Sequence, residues 1–155
     1  MNSFYADTLY PLQDKVLKII TAANSPFYLT GGTALSRFYY PYRYSDDLDF
    51  FVNTYSQFTT ETDRILSLLK NITVEVITKT DSFCSIKVEN VLKIDFVNDT
   101  GKCPDDFLKN QIFSKVDTIQ RILANKISAL LGRDDAKDIV DLWIISTHEK
   151  IIWEK

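Results

Sequence analysis

The sequence predicts a small α/β or α+β domain, on three observations. Short runs rich in aromatic and β-branched residues fill its middle, at 27–30, 48–52, 72–78, 83–89 and 91–97. Apolar residues at helical spacing occupy both ends. No repeat, low-complexity tract or Pro/Gly/Ser linker divides the 155 residues. One domain is therefore expected over 1–155, with a sheet within about 27–98 and a helical part from about 105 to 155.

The elements follow in order. Leu12, Val16, Ile19, Ile20 and Ala23 mark an amphipathic helix that stops near Asn24-Ser25-Pro26. The strand at 27–30 runs into Gly31-Gly32, read as a tight turn, before a short helix over 33–40 that Pro41 ends. Residues 42–45 read as loop and 48–52 as a buried strand. A second amphipathic helix at 56–70 carries Ile65, Leu68 and Leu69. Three strands follow, the last two joined by a tight hairpin at Glu89-Asn90. From Thr118 onward Ile119, Ile122, Leu123, Ile127, Leu130 and Leu131 form one stripe. The stretch Gly132-Arg133-Asp134-Asp135 breaks it, and its aspartates suit the cap of a last helix over 136–146.

Composition excludes several classes. With 45% hydrophobic and 13% aromatic residues and only four Gly and four Pro, the chain is neither disordered nor collagen-like. No apolar run reaches the roughly 20 residues that span a bilayer, and the first residues lack a basic-then-apolar leader, so a cytoplasmic protein is expected. Cys84, Cys103 and His148 are too few for a disulfide scaffold or a structural zinc site; Cys84 reads as a buried small residue and His148 as a surface one. A net charge of −3 argues against a broadly basic nucleic-acid surface.

The chemistry concentrates in three places. In Arg43-Tyr44-Ser45-Asp46-Asp47-Leu48-Asp49-Phe50-Phe51, strand alternation puts Asp47 and Asp49 on one face, where they repel unless a hard cation such as Mg²⁺ lies between them. The alternative is a solvated acidic turn. In Val91-Leu92-Lys93-Ile94-Asp95-Phe96-Val97 an aspartate interrupts an apolar strand; either it joins the first two in a two-metal site, or it faces water on an edge strand beside Lys93. Gly31-Gly32-Thr33, after a strand and before a helix, can cradle phosphate or simply turn the chain. The aromatic run Phe38-Tyr39-Tyr40-Pro41-Tyr42-Arg43-Tyr44 either stacks a nucleobase or packs a helix end.

With these residues in this order, the sequence closely resembles the AbiEii/AbiGii toxin family of the polymerase-β-like nucleotidyltransferase superfamily. The resemblance runs from Leu29-Thr30-Gly31-Gly32-Thr33 through the Asp47/Asp49 motif and Lys93-Ile94-Asp95-Phe96. It then continues through Leu123-Ala124-Asn125-Lys126-Ile127 to Arg133 and Lys137-Asp138-Ile139-Val140-Asp141. It implies a mixed sheet flanked by helices, with C-terminal helices, and an enzyme that moves an NMP group from an NTP to an acceptor with two Mg²⁺ ions. By motif position Asp47, Asp49 and Asp95 would be the metal-binding and catalytic carboxylates, with Lys126 beside the phosphates. Gly31, Gly32, Thr33, Arg43, Ser45, Arg133, Lys137 and Asp138 would hold the nucleotide. For Arg43 a salt bridge to Asp46 is the alternative, and for Lys137, Asp138 and Asp141 a solvated helix face.

Two departures accompany the resemblance. Tyr42 stands where the family often has His, and the sequence stops at Lys155 where many members continue with helices. The expectation is a minimal catalytic core, a short variant or a partner-dependent protein, of the abortive-infection or toxin–antitoxin type. The expected acceptor is RNA, tRNA included, or protein, and a cognate antitoxin is the expected partner. A nucleotide-binding regulator without turnover and a metal-dependent phosphodiesterase are the competing readings.

Overall fold

The structure, a computed structural model, describes residues 3–102, 105–132 and 135–151, so Cys103 and Arg133 lie outside the described residues. A π-helical turn (Tyr5–Leu9) leads into α1 (Tyr10–Ala22), β1 (Tyr28–Thr30), α2 (Gly31–Phe38), β2 (Leu48–Asn53) and α3 (Phe58–Leu68). The chain continues with β3 (Val74–Lys79), β4 (Phe83–Val88), β5 (Leu92–Asp99), α4 (Ile119–Gly132) and α5 (Ala136–His148). The strands make one mixed sheet in the order β1-β2-β5-β4-β3. Glu89 and Asn90 both take positive φ (51° and 56°), the geometry of the two-residue turn that suits the twist of a β4–β5 hairpin. The pair β2–β5 is parallel, which requires a long crossover; α3, β3 and β4 provide it.

Alternation divides the two faces of the sheet. Leu48, Phe50, Leu92, Ile94 and Phe96 are buried on one face, in a single cluster with Val16, Leu17 and Ile20 of α1 and Phe58 and Ile65 of α3. Phe50 and Phe96 stack at 5.4 Å, with Phe27 and Phe113 against them. Full burial of each such side chain favours the fold by roughly 1.5–3 kcal/mol, so this face anchors β2 and β5 and leaves the other face free to carry polar groups. The outer edge of β1 is covered by the segment before α4: Leu29 N donates to Lys115 O (2.9 Å) and Asp117 N to Leu29 O (2.8 Å).

Four sequence expectations change. Gly31 and Gly32 are the first residues of α2 rather than a turn before it. Strand β5 lies between β2 and β4, so Asp95 is not on an edge. The stripe on α4 is buried only at its start, through Ile119 and Ile122, and Leu131 is 89% exposed. Residues 72 and 73 precede β3 rather than belong to it.

Candidate active site

The parallel register places Asp49 of β2 directly opposite Asp95 of β5. Adjacent strands lie about 4.8 Å apart and partners share a face, so the two carboxylates are neighbours on the open side of the sheet. Asp47 precedes β2 by one residue and joins them electrostatically. Burial, followed by the charges of Asp95 and Asp47, pushes the Asp49 carboxyl up to about 6 against the pull of Lys126 and Lys93. Asp47 is also raised, again chiefly by burial. Asp95 instead has partners: Ser85 Oγ donates to it at 2.6 Å and Lys93 Nζ lies at 2.6 Å. Among the described residues no three His, Cys, Asp or Glu side chains are gathered into a metal-holding cluster, because Asp95 turns toward Lys93 and Ser85. The donor set itself, carboxylate oxygens short of positive charge, suits a hard divalent cation.

The two glycines are explained by what approaches them. Gly31 has φ +72°, and a Cβ there would collide with Oδ2 of Asp49. A Cβ on Gly32 would collide with the Arg43 guanidinium and reach Ser45 Oγ at 3.3 Å. Thr33 is buried; its hydroxyl is bound to Ser45 Oγ (2.7 Å) and to the Asp47 carbonyl. Its side chain therefore fixes the 39–47 loop, and only its backbone N–H belongs to the open first turn of α2.

A second cluster braces the site. Asp141 of α5 accepts two bonds from Arg43, Nε to Oδ1 at 2.7 Å and Nη2 to Oδ2 at 2.9 Å, and one from the Tyr42 hydroxyl. Lys126 of α4 lies 2.6 Å from Asp141 and 2.7 Å from Asp138. Burial favours protonation of Asp141, but bonds from Arg43, Lys126 and Tyr42 outweigh it and hold its carboxyl below the usual range. Asp138 and Asp141 are 1% and 0% exposed, which overturns a solvated helix face for them. Arg43 pairs with Asp141, not Asp46; Asp46 instead accepts from the Tyr5 hydroxyl at 2.7 Å. Lys137 is exposed at the rim, 4.0 Å from Asp46.

Between the carboxylate face and α4 lies a cleft of about 440 Å³, bounded by Gly31, Asp49 and Phe51 on one side and Asn125, Lys126 and Ala129 on the other. The sequence profile of the AbiEii nucleotidyl transferase toxin, a type IV toxin–antitoxin protein, matches residues 18–152. The chain belongs to the AbiEii family. The fold is similar to the crystal structure of JHP933 from Helicobacter pylori, with 24% identity and a TM-score of 0.71, covering 90% of this chain and 65% of that one. It is also similar to ANT(2″)-Ia in complex with adenylyl-2″-tobramycin (14% identity, TM-score 0.65, 88% and 87% covered). The Megavirus polyadenylate synthase is a third relative in fold (14% identity, TM-score 0.60, 96% and 34% covered). The chain thus spans about two-thirds of the length of JHP933. No curated protein is significantly similar in sequence.

Within this AbiEii domain, reading the sequence named Asp141 in the last motif without giving it a site role, and missed Asp117. Asp141 is the hub of the brace, and its signal is the i,i+3 spacing from Asp138, which puts both on one face of α5. Asp117, fully buried before α4, accepts from Thr30 Oγ1 (2.7 Å) and Arg121 Nε (2.5 Å) and so ties the strand before Gly31 to α4. It stands one residue ahead of Thr118, the N-cap of α4, whose carbonyl accepts from Ile122 N; Asp117 Oδ1 accepts from Thr118 N at 2.9 Å.

Proposed function

We propose that the protein transfers a nucleoside monophosphate from an NTP to an RNA end, tRNA included, or to a protein hydroxyl, with Asp47, Asp49 and Asp95 as ligands of two Mg²⁺ ions. The observation that carries this reading is the in-register Asp49–Asp95 pair, with the Asp49 carboxyl raised to about 6 by burial and by its acidic neighbours. Such a pair on a half-buried face is unfavourable by itself and favourable around cations. Bound ions would supply positive charge against the phosphates and make the acceptor hydroxyl easier to deprotonate.

The chain's own residues divide the remaining work. Asp95 takes the proton as the acceptor oxygen bonds to the α-phosphorus and pyrophosphate leaves; Ser85 and Lys93 orient its carboxylate. Backbone N–H groups of Gly31, Gly32 and Thr33 meet the triphosphate oxygens at the start of α2. Arg43, Ser45, Lys126, Arg133, Lys137 and Asp138 complete the nucleotide site, Asp138 by holding Lys126. The charge of Lys126 is already matched by two carboxylates, so it serves as a fixed donor in the cleft wall. The fold relatives carry different chemistry, an adenylyl-2″-tobramycin complex in one and a polyadenylate synthase in another, so they do not single out an acceptor. A cognate antitoxin and a cytoplasmic site of action complete the proposal.

The test is incubation with Mg²⁺ and each α-labelled NTP in the presence of RNA and protein extracts. Labelling of a macromolecule is expected, with Asp47→Ala and Asp95→Ala losing at least about a thousandfold of it while keeping their circular dichroism. Full labelling by either variant overturns the mechanism. Binding without turnover would favour the regulatory reading, for which the Asp95–Lys93 pairing speaks, and strand cleavage would favour the hydrolytic one.

A further inference from the structure

The cleft between the carboxylate face and α4 holds two side chains that have no part in the chemistry above, Phe51 and Asn125. Strand alternation puts Phe51 on the same face as Asp49, about 6.6 Å further along β2. Phe50, its neighbour in sequence, is fully buried in the core, whereas Phe51 is only partly buried and lies outside the core cluster. Its ring meets Tyr28 at 6.3 Å and 52°, a tilted contact rather than a face-to-face stack. The apolar face nearest the carboxylates is thus turned to a cleft and not to the core.

Asn125 lines the same cleft from α4. It is exposed, and its amide has no hydrogen-bond partner among the described residues. Ala129 and Gly132 follow it at i+4 and i+7, so the wall beside the amide is built of small residues. A Cβ on Gly132 would meet nothing within 4 Å, which leaves the space open. The other polar groups are engaged: Thr30 Oγ1 donates to Asp117, and Lys126 is matched by Asp138 and Asp141. The Asn125 amide is therefore the neutral group left to read a ligand's edge, with two donors and one acceptor.

The same cleft also decides which nucleotide is read. Gly31 and Lys126, the groups proposed for the triphosphate, line it together with Phe51 and Asn125. The base nearest these side chains is then that of the NTP and not that of an acceptor strand. Resting on the transfer reading of this cleft, we infer that Phe51 and Asn125 recognise the base of the NTP. The Phe51 ring stacks on the base, and the Asn125 amide bonds to its edge and selects among the four. Stacking on an aromatic face tolerates any base, whereas a hydrogen-bonded edge does not, so the two residues divide strength from choice.

Isothermal titration of the full chain tests this, with Mg²⁺ and the four α,β-methylene nucleoside triphosphates, which bind but cannot release pyrophosphate. Tripolyphosphate, which has no base, is the control. The parent should bind one of the four at least about tenfold more tightly than the weakest. Asn125→Leu should bring all four within about twofold of one another. Phe51→Leu, which keeps an apolar strand residue, should weaken all four by about fivefold or more and preserve their order. Neither variant should move the binding of tripolyphosphate. A parent without base preference, a preference unmoved by Asn125→Leu, or affinities unmoved by Phe51→Leu overturn the inference and leave the transfer reading standing. Equal weakening of tripolyphosphate also overturns it, since the residues would then only shape the cleft. A parent that binds neither the triphosphates nor tripolyphosphate overturns the transfer reading itself, and this inference with it.

Discussion

Asp49 carries opposing demands at the residue scale. Its carboxyl sits at about 6 in the folded chain against an ordinary 3.8, so the folded state holds the proton more tightly than the unfolded one. This group's contribution to stability is therefore greatest below about pH 4 and falls as pH rises toward 6, by about 3 kcal/mol at most. In chelator-treated protein, Asp49→Asn should be more resistant to urea than the parent at pH 8, with the difference vanishing near pH 4, while nucleotidyl transfer is lost. Gly31→Ala should act in the opposite direction on stability. Positive φ and the clash with Asp49 together cost about 1–3 kcal/mol, read as a lower urea midpoint, and the displaced carboxylate should take activity with it. The acids of the site were legible in the sequence because charges in apolar strands need a reason. Why both glycines are needed was not, since only the structure shows Asp49 and Arg43 pressing on them.

Among the elements, α5 acts as a strut between the 39–47 loop and α4. Asp141→Ala would leave Arg43 without its bidentate partner and Lys126 with Asp138 alone, and breaking a buried pair of this kind costs about 3–5 kcal/mol. Thermal melting should show that loss, and hydrogen exchange should show α5 and the loop deprotected ahead of β4 and β5. Legibility follows the same division. The strands and the Glu89-Asn90 turn were readable because alternation and turn chemistry are local. The strand-like pairing of residues 115–117 with β1 was not, because Val116 has no alternating neighbours and its partner lies far along the chain. The apolar stripe on α4 misled for a related reason: periodicity marks what can be buried, and only tertiary packing decides what is.

For the whole molecule, the β2–β5 register brings Asp49 and Asp95 together at one end of the strand pair, with Asp47 one residue before β2. A ligand bound only by the folded state stabilises it by mass action. Mg²⁺ at a hundred times its dissociation constant should therefore raise the melting temperature by about 5–10 °C, reversibly with chelator, and should fail to do so in Asp47→Ala. The parallel pairing of β2 with β5 has a further consequence, in time rather than space. Strands β3, β4 and β5 join through neighbours in sequence, whereas β2 meets β5 only after a loop containing α3, β3 and β4 has closed. Amides of the β3–β4–β5 meander should gain protection before those of β2 in pulse-labelled refolding. Until β2 docks, Asp49 and Asp95 are not neighbours, so a nascent or half-folded chain has no assembled carboxylate pair.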